Sequence, residues 1–292
     1  MTWASPVERR SIATWALAHR DVSRASAPLN CCLQLCVLKA SGKEEPEIMP
    51  EGPSIVILKE LADAFKGRRV TKVSGNSKAE IQRAQGKRVT DFKSWGKHFL
   101  ICFPGFTIKI HLMLFGSYRI NEARDVPPRL SLKFRTGVLN FYACSVKILE
   151  EDLDAIYDWT ADVMSEQWDA NAAKVKLLER PRQLICDALL DQDLFAGSGN
   201  IIKNEVLFRI RVHPKTEIGA LPPRKLGQLV KEVRNYSFDF LKWKKAYLLR
   251  KHWQVHTKAY CSRCNVQLVK EYLGRHQRRT YYCRRCQVWY YR

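Results

Sequence analysis

Two pairs of cysteines near the C-terminus constrain the fold of this chain most. Cys261 and Cys264 are separated by two residues, as are Cys283 and Cys286, and 18 residues lie between the pairs. Four thiolates at this spacing are typical of a zinc site, with a pair of disulfides as the alternative. A turn-like Leu273-Gly274 midway between the pairs favours zinc. A module this small buries little apolar surface, so a metal would supply much of its folding energy, on the order of 10 kcal/mol.

Positive charge is concentrated in the same part of the chain. The 50 Lys and Arg against 29 Asp and Glu give a formal net charge of +21. Residues 241–292 contain 14 basic residues and one acid, with ten Trp and Tyr interleaved. This pattern predicts a polyanionic partner, either nucleic acid or an acidic membrane surface. No apolar run reaches the roughly 18 residues of a membrane span and no secretory signal pattern opens the chain, so we expect an intracellular nucleic-acid binder.

Periodicity divides the chain into four regions. Residues 1–48 have no sustained period and a net charge of +1, which predicts a disordered extension that is either non-native or cleaved. Period-two segments from about 69 to 149 predict a β-sandwich, and helical periodicity continues to about residue 251. We therefore expect an α+β protein with these parts: an extension (1–48), a helix and β-sandwich domain (49–150), a helical domain (151–255) and a zinc-finger β-hairpin (256–292).

Local signals place the elements within these regions. Ser54 is expected to be the N-cap of a helix that Gly67 ends, and Arg135-Thr136-Gly137 is expected to form a hairpin turn. In the helical region, the periodicity predicts helices over Leu153–Met164, Ala170–Glu179, Arg182–Leu190, Ile201–Arg211 and Leu226–Tyr236.

Three separated segments resemble the formamidopyrimidine-DNA glycosylase and endonuclease VIII family. They are Met49-Pro50-Glu51-Gly52-Pro53, then Gly197-Ser198-Gly199-Asn200-Ile201 followed by Glu205, and Gln277–Cys283 between the cysteine pairs. The resemblance runs from Met49 to the C-terminus. It implies a bifunctional base-excision repair enzyme, a DNA glycosylase with AP-lyase activity, that contains a helix–two-turns–helix element and one structural zinc ion.

The resemblance makes Pro50 the candidate nucleophile. An amine that attacks C1′ of the deoxyribose gives an iminium, which acidifies the C2′ protons and permits strand cleavage. A terminal amine has a pKa of roughly 8 and is partly neutral at pH 7, whereas inside the chain the proline nitrogen is an amide. Pro50 can act only if Met49 is the true first residue and is removed, or if a targeting segment is cleaved. Otherwise Pro50 and Pro53 are helix-entry residues.

Three more residues would complete the catalytic group. The resemblance assigns Glu51 to sugar-ring opening and proton transfer, and Lys97 to contact with the sugar and phosphate and to lyase proton transfer. It assigns Arg278 to the phosphates of the flipped nucleotide, although Arg279 beside it leaves the register open. From the residues alone, Glu51 and Lys97 could be ordinary solvated charges.

The glycine-rich segment offers a second DNA contact. Asn200 is expected to begin a helix as its N-cap, and open N–H groups at such a helix start can bind a phosphate. The resemblance implies that Asn200 contacts the phosphate opposite the lesion.

An apolar triple is the candidate wedge that fills the gap left by a flipped base. Met113, Leu114 and Phe115 lie at a turn, where exposure is costly unless they insert between bases; a buried strand end is the alternative. The triple is closer to endonuclease VIII than to the other branch, whose arginine and phenylalanine on a second loop are absent from Tyr142–Val146, and this favours oxidised pyrimidines. Arg129 stands near a DNA-contacting position of the family.

The sequence leaves the class of function open between three alternatives. A glycosylase and lyase is the first, and a non-catalytic zinc-dependent protein that binds damaged DNA is the second, required if Pro50 is not the mature N-terminus. RNA binding by charge alone is the third. We expect a monomer with damaged double-stranded DNA as its partner and no membrane attachment, located in the bacterial cytoplasm or nucleoid, or in a eukaryotic organelle or nucleus.

Overall fold

Helix α1 (Gly52–Ala62) opens the part of the chain that the structure, a computed structural model, describes, which is residues 50–291. The extension expected over residues 1–48 lies outside these residues. The expectation that Ser54 caps α1 was wrong, because Glu51 is the N-cap and Ser54 is buried inside the helix. Pro53 fits the first turn, where a missing N–H leaves no intrahelical hydrogen bond unmade.

Two four-stranded antiparallel sheets follow and form the expected sandwich. In spatial order, the first sheet contains β1 (Lys72–Ser74), β6 (Leu130–Phe134), β7 (Gly137–Tyr142) and β5 (Ser117–Ile120). The second contains β2 (Asp91–Trp95), β3 (His98–Phe103), β4 (Phe106–His111) and β8 (Ser145–Leu149). Alternate side chains of both sheets, among them Phe99, Ile108 and Phe141, share one buried core with Ile55 and Leu58 of α1. Burial of these apolar side chains is the main force that holds α1 and the sheets together.

Six helices come next and have a core of their own. They are α2 (Leu153–Ile156), α3 (Ala170–Leu178), α4 (Ile185–Ala188), α5 (Gln192–Phe195), α6 (Asn200–Arg209) and α7 (Pro223–Lys245). The first predicted helix stops early because Asp158 caps a separate short turn through the N–H of Thr160. Helix α7 is longer than predicted, since its buried stripe continues to Phe240.

A hairpin of β9 (Val269–Leu273) and β10 (Arg278–Tyr282) closes the fold between the two cysteine pairs. Strand β10 packs against α6. Within residues 50–291, no helix has both the length and the apolar character that a bilayer span requires. The α+β class with a C-terminal four-cysteine hairpin is confirmed.

Candidate active site

The carboxylate of Glu51 is buried at the N-terminus of α6. The N–H of Ile201 donates to Oε1 at 2.7 Å and that of Ile202 to Oε2 at 3.2 Å. Gly199 makes room for it, because a Cβ at that position would lie 2.5 Å from Cδ of Glu51. The helix dipole and these amides favour a negative group there. The N–H groups expected to be open to a phosphate are therefore occupied by Glu51.

Lys97 lies at the tip of the tight β2–β3 hairpin and is half-buried. Gly96 beside it has φ +53, and a Cβ there would be 3.0 Å from the backbone nitrogen of Gly197. The N–H of Gly96 donates to Oδ2 of Asp162 at 3.1 Å. The hairpin tip is thus packed against the same glycine-rich loop that receives Glu51, which brings Lys97 close to that carboxylate.

Burial changes the proton affinity of both groups. It raises the pKa of Glu51, although Lys97 and the α6 amides oppose the shift. It lowers the pKa of Lys97, where Glu51 opposes the shift and the positive charge of Arg278 adds to it. Both shifts favour the neutral forms, which brings the two pKa values closer together and suits the pair to exchanging a proton.

The two adjacent arginines of β10 lie on opposite faces of the strand. Arg278 is partly buried, and its charge acts on Lys97. Arg279 is exposed and donates to the hydroxyl of Tyr272 at 3.0 Å. Of the two arginines, Arg278 is therefore the one whose charge acts on Lys97.

Pro50 and Asn200 adjoin this group through the chain. Pro50 directly precedes Glu51 and is half-buried. Asn200 is the first residue of α6 rather than its N-cap, which is Gly199, so that expectation was wrong. The Asn200 side chain is 6% exposed, and its Nδ2 donates to the carbonyl of Arg279 at 2.9 Å. That bond ties the start of α6 to the hairpin.

The apolar triple lies in the β4–β5 loop and is exposed. Met113, Leu114 and Phe115 have exposed fractions of 53%, 44% and 81%, so the buried-strand-end alternative was wrong. Met113 has φ +55, a left-handed backbone conformation in the turn that follows β4. Arg129, just before β6, donates to the carbonyl of Asn76 at 2.8 Å. Both features belong to the sandwich and not to the Glu51 and Lys97 pair.

The four predicted cysteines converge. Their sulfurs all lie within 4.8 Å of one another, with 3.3 Å between Cys264 and Cys283 and 3.7 Å between Cys261 and Cys286. Four sulfurs at about 2.3 Å from a tetrahedral ion are about 3.8 Å apart. The cluster therefore has the donor set and size to bind a metal ion.

Sequence reasoning missed two buried residues around the site. Asp162, 3% exposed, anchors the Lys97 hairpin, and no local pattern could have revealed a contact with a residue 66 positions away. Lys203, 1% exposed, donates to Thr280 at 2.7 Å. A signal did exist for Lys203, because it lies three residues after Asn200 and so on the same face of α6.

Comparison with known proteins agrees with this geometry. Residues 49–144 match the formamidopyrimidine-DNA glycosylase N-terminal domain and residues 159–237 match the formamidopyrimidine-DNA glycosylase H2TH domain. Endonuclease 8-like 2 of Bos taurus is 30% identical over 82% of this chain and 96% of its own length. The formamidopyrimidine-DNA glycosylase of Lactococcus lactis, solved with DNA containing an AP site, superposes with a TM-score of 0.72 at 21% identity, covering 81% of this chain and 99% of that one.

Other relatives are longer than this chain. Endonuclease 8-like 3 of Xenopus laevis is 28% identical over 83% of the chain, and the matched region is 41% of that protein. The chain thus spans about two fifths of the endonuclease 8-like 3 proteins it matches. With the two matched domains and the near full-length endonuclease 8-like 2 relative, the chain belongs to the formamidopyrimidine-DNA glycosylase and endonuclease VIII family, on its endonuclease VIII-like side.

Proposed function

We propose that this protein is a bifunctional DNA glycosylase and AP lyase of base excision repair. The observation that carries the proposal is the Glu51 carboxylate, held at the N-terminus of α6 beside Pro50 and paired electrostatically with Lys97. A buried acid next to a candidate amine nucleophile provides the proton transfers that both reactions need. A relative from Mycolicibacterium smegmatis, 28% identical over 59% of the chain, is named a DNA-(apurinic or apyrimidinic site) lyase.

In this proposal, Pro50 is the mature N-terminal residue. Its neutral amine attacks C1′ as the glycosidic bond breaks, and the base leaves with a proton. The proline nitrogen then gives up its own proton, the C1′–O4′ bond breaks with protonation of O4′, and the nitrogen lone pair forms the iminium to C1′. Loss of a C2′ proton then expels the 3′ phosphate by β-elimination, and hydrolysis of the iminium returns the amine. An amide nitrogen cannot carry out the first step, because its lone pair is delocalised into the carbonyl.

Neighbouring residues would move protons and bind phosphate. The protonated form of Glu51, which burial favours, assists opening of the sugar ring, and Lys97 contacts the sugar and exchanges a proton in the lyase step. Arg278 contacts the phosphates of the flipped nucleotide. Asn200 would contact the phosphate opposite the lesion, and Arg129 would also contact the DNA.

The metal of the cysteine cluster would be structural zinc. Cys261, Cys264, Cys283 and Cys286 would complete a closed four-thiolate site, which leaves no position for a substrate. The ion would stabilise the β9–β10 hairpin and so the position of Arg278.

Damaged double-stranded DNA is the proposed partner, and oxidised pyrimidines are the proposed bases. Met113, Leu114 and Phe115 would enter the duplex where the base leaves, which explains why apolar side chains are exposed there. We propose that the protein is a monomer and acts wherever its DNA is, in the bacterial cytoplasm or nucleoid, or in a eukaryotic nucleus or organelle.

Incision assays test the function. Protein expressed from Met49 is incubated with duplexes that carry an oxidised pyrimidine, 8-oxoguanine or an abasic site, beside a matched Glu51→Gln control. We expect incision of the first and third substrates, and loss of it in the control. Tight binding to all damaged duplexes with no incision of any would instead indicate the non-catalytic alternative.

A further inference from the structure

A buried lysine connects α6 to the strand that carries Arg278. Lys203 is 1% exposed, and its Nζ donates to Oγ1 of Thr280 at 2.7 Å. The hydroxyl of Thr280, also 1% exposed, donates to the carbonyl of Arg278 at 2.9 Å. Since an ammonium group can only donate, both bonds point toward Arg278. The chain of contacts runs from a buried positive charge to the backbone of Arg278.

This charge is poorly compensated. Among the described residues, no carboxylate forms an ion pair with Lys203, and Thr280 is the acceptor of its one side-chain hydrogen bond. A buried charge without an ionic partner is costly, and an apolar side chain of similar size would be better for stability. An anion that binds at the site would compensate this buried charge and so offset the cost in stability.

The surroundings make this lysine sensitive to such an anion. Burial lowers the pKa of Lys203 to about 8 and Arg278 adds to the shift, whereas Cys186, Asp187 and Glu51 oppose it. The charge of Lys203 also contributes to lowering the pKa of His256, which follows α7. A phosphate bound to Arg278 would reverse the repulsion from that arginine and favour the protonated lysine.

We propose that Lys203 is a positioning residue for Arg278, which holds β10 through Thr280 and keeps a positive charge behind the arginine, so that DNA binding takes up a proton at Lys203. The inference rests on the proposed function, in which Arg278 contacts a DNA phosphate. It goes further by coupling the DNA affinity to the protonation of a residue that does not touch the DNA.

The pH dependence of binding tests the inference. Affinity for a duplex with a tetrahydrofuran abasic analogue is measured at fixed salt from pH 7 to pH 9 for the wild type and Lys203→Met. If binding requires a proton on a group that titrates near pH 8, the free wild-type protein loses that proton as the pH rises. We therefore expect its affinity to fall about tenfold more than that of the variant between pH 7 and pH 9. The Pro50 amine titrates equally in both proteins, so the difference belongs to Lys203.

A matched control removes an exposed charge instead. Lys231→Met, on the exposed face of α7, should keep the wild-type pH dependence. Equal pH dependence in Lys203→Met and the wild type would overturn the inference. If the wild type does not bind the duplex at all, the proposed function has failed, and the inference with it.

A measurement on the unmodified protein covers the case in which Lys203→Met does not fold. Calorimetry at pH 8.5 in two buffers of different ionisation enthalpy gives the number of protons taken up on binding. We expect net uptake that approaches one proton, and an NMR titration should give free Lys203 a pKa near 8. A pKa near 10.4 in the free protein, or binding without proton uptake, would overturn the inference.

Discussion

At the scale of single residues, the site depends on buried polar groups that are held by backbone amides. Glu51 accepts hydrogen bonds from two backbone N–H groups of α6, and Asp162 accepts hydrogen bonds from the N–H groups of Gly96 and Met164. Both residues are buried, and the Glu51 carboxylate also lies against Gly199. Substitutions that preserve shape and remove charge therefore report on chemistry and positioning rather than on packing.

Glu51→Gln should abolish most of the activity without unfolding the protein. An amide keeps one acceptor for the N–H groups of Ile201 and Ile202 but cannot supply a proton, so we expect a loss of about 10²-fold or more in incision. The pH–rate profile should also lose the limb due to Glu51. Zinc content and abasic-site affinity serve as controls, and incision at more than a third of the wild-type rate would remove Glu51 from the mechanism.

Asp162→Asn tests the anchor of the Lys97 hairpin. One oxygen becomes an NH₂ group that faces a backbone N–H, so a buried hydrogen bond is lost, at a cost of about 1–3 kcal/mol in the free energy of unfolding. Burial raises the pKa of Asp162 to about 6, above its unfolded value, so its proton stabilises the fold below pH 4 and this contribution is lost as the pH rises through 6. Denaturant unfolding at pH 4 and pH 7 should show that the variant lacks this difference; an identical pH dependence would contradict it.

At the scale of elements, loops and hairpins carry what the sheets and helices position. The β4–β5 loop exposes three apolar side chains that the sandwich does not need for its core. The β9–β10 hairpin depends on the cysteine cluster on one side and on α6 on the other. Each can be altered while the two main cores stay intact.

Replacement of Met113, Leu114 and Phe115 by alanine should leave stability nearly unchanged, because the side chains are already exposed. Incision of a lesion in a duplex should fall at least tenfold, whereas incision in a single strand, where no base must be flipped, should change little. Parallel assays on both substrates measure the difference. Equal losses on the two would show that the triple does not act as a wedge.

Cys283→Ser should remove the bound metal and, with it, the contribution of the hairpin to DNA affinity. Three thiolates bind zinc far more weakly than four, and the hairpin has little core of its own. Metal analysis should give less than one zinc per chain, and affinity for an abasic duplex should fall at least tenfold. A metal-free variant that still binds tightly would place the hairpin outside the DNA site. Cys102→Ser, outside the cluster, is the control.

At the scale of the whole molecule, the sequence predicts the architecture better than it predicts which distant residues contact one another. Cysteine spacing and strand alternation depend on neighbours in the chain, so the four-cysteine cluster and the sandwich could be predicted directly. The partner of Glu51 lies 150 residues away. The expected N-caps were also wrong, Ser54 by three residues and Asn200 by one, at helix starts that tertiary contacts determine. The hydrogen-bond partner of Lys203, Thr280, lies 77 residues away and has no local signal either.

The positive charge of the molecule is unevenly distributed along the chain. Residues 1–48 contribute +1 of the +21, so +20 remains from Met49 onward, and its density is highest around the hairpin. A surface of this kind should bind DNA with a steep salt dependence, with a slope of about −0.9 for each phosphate neutralised.

The central claim is that the nitrogen of Pro50 forms the covalent intermediate. Protein expressed from Met49 is mixed with an abasic duplex and borohydride, and the reduced adduct is digested and mapped by mass spectrometry. We predict one adduct, on the N-terminal peptide at Pro50, and a mature mass that lacks Met49. An adduct on a lysine at undiminished yield in Pro50→Gly, or no adduct with a free N-terminal Pro50, would contradict the account.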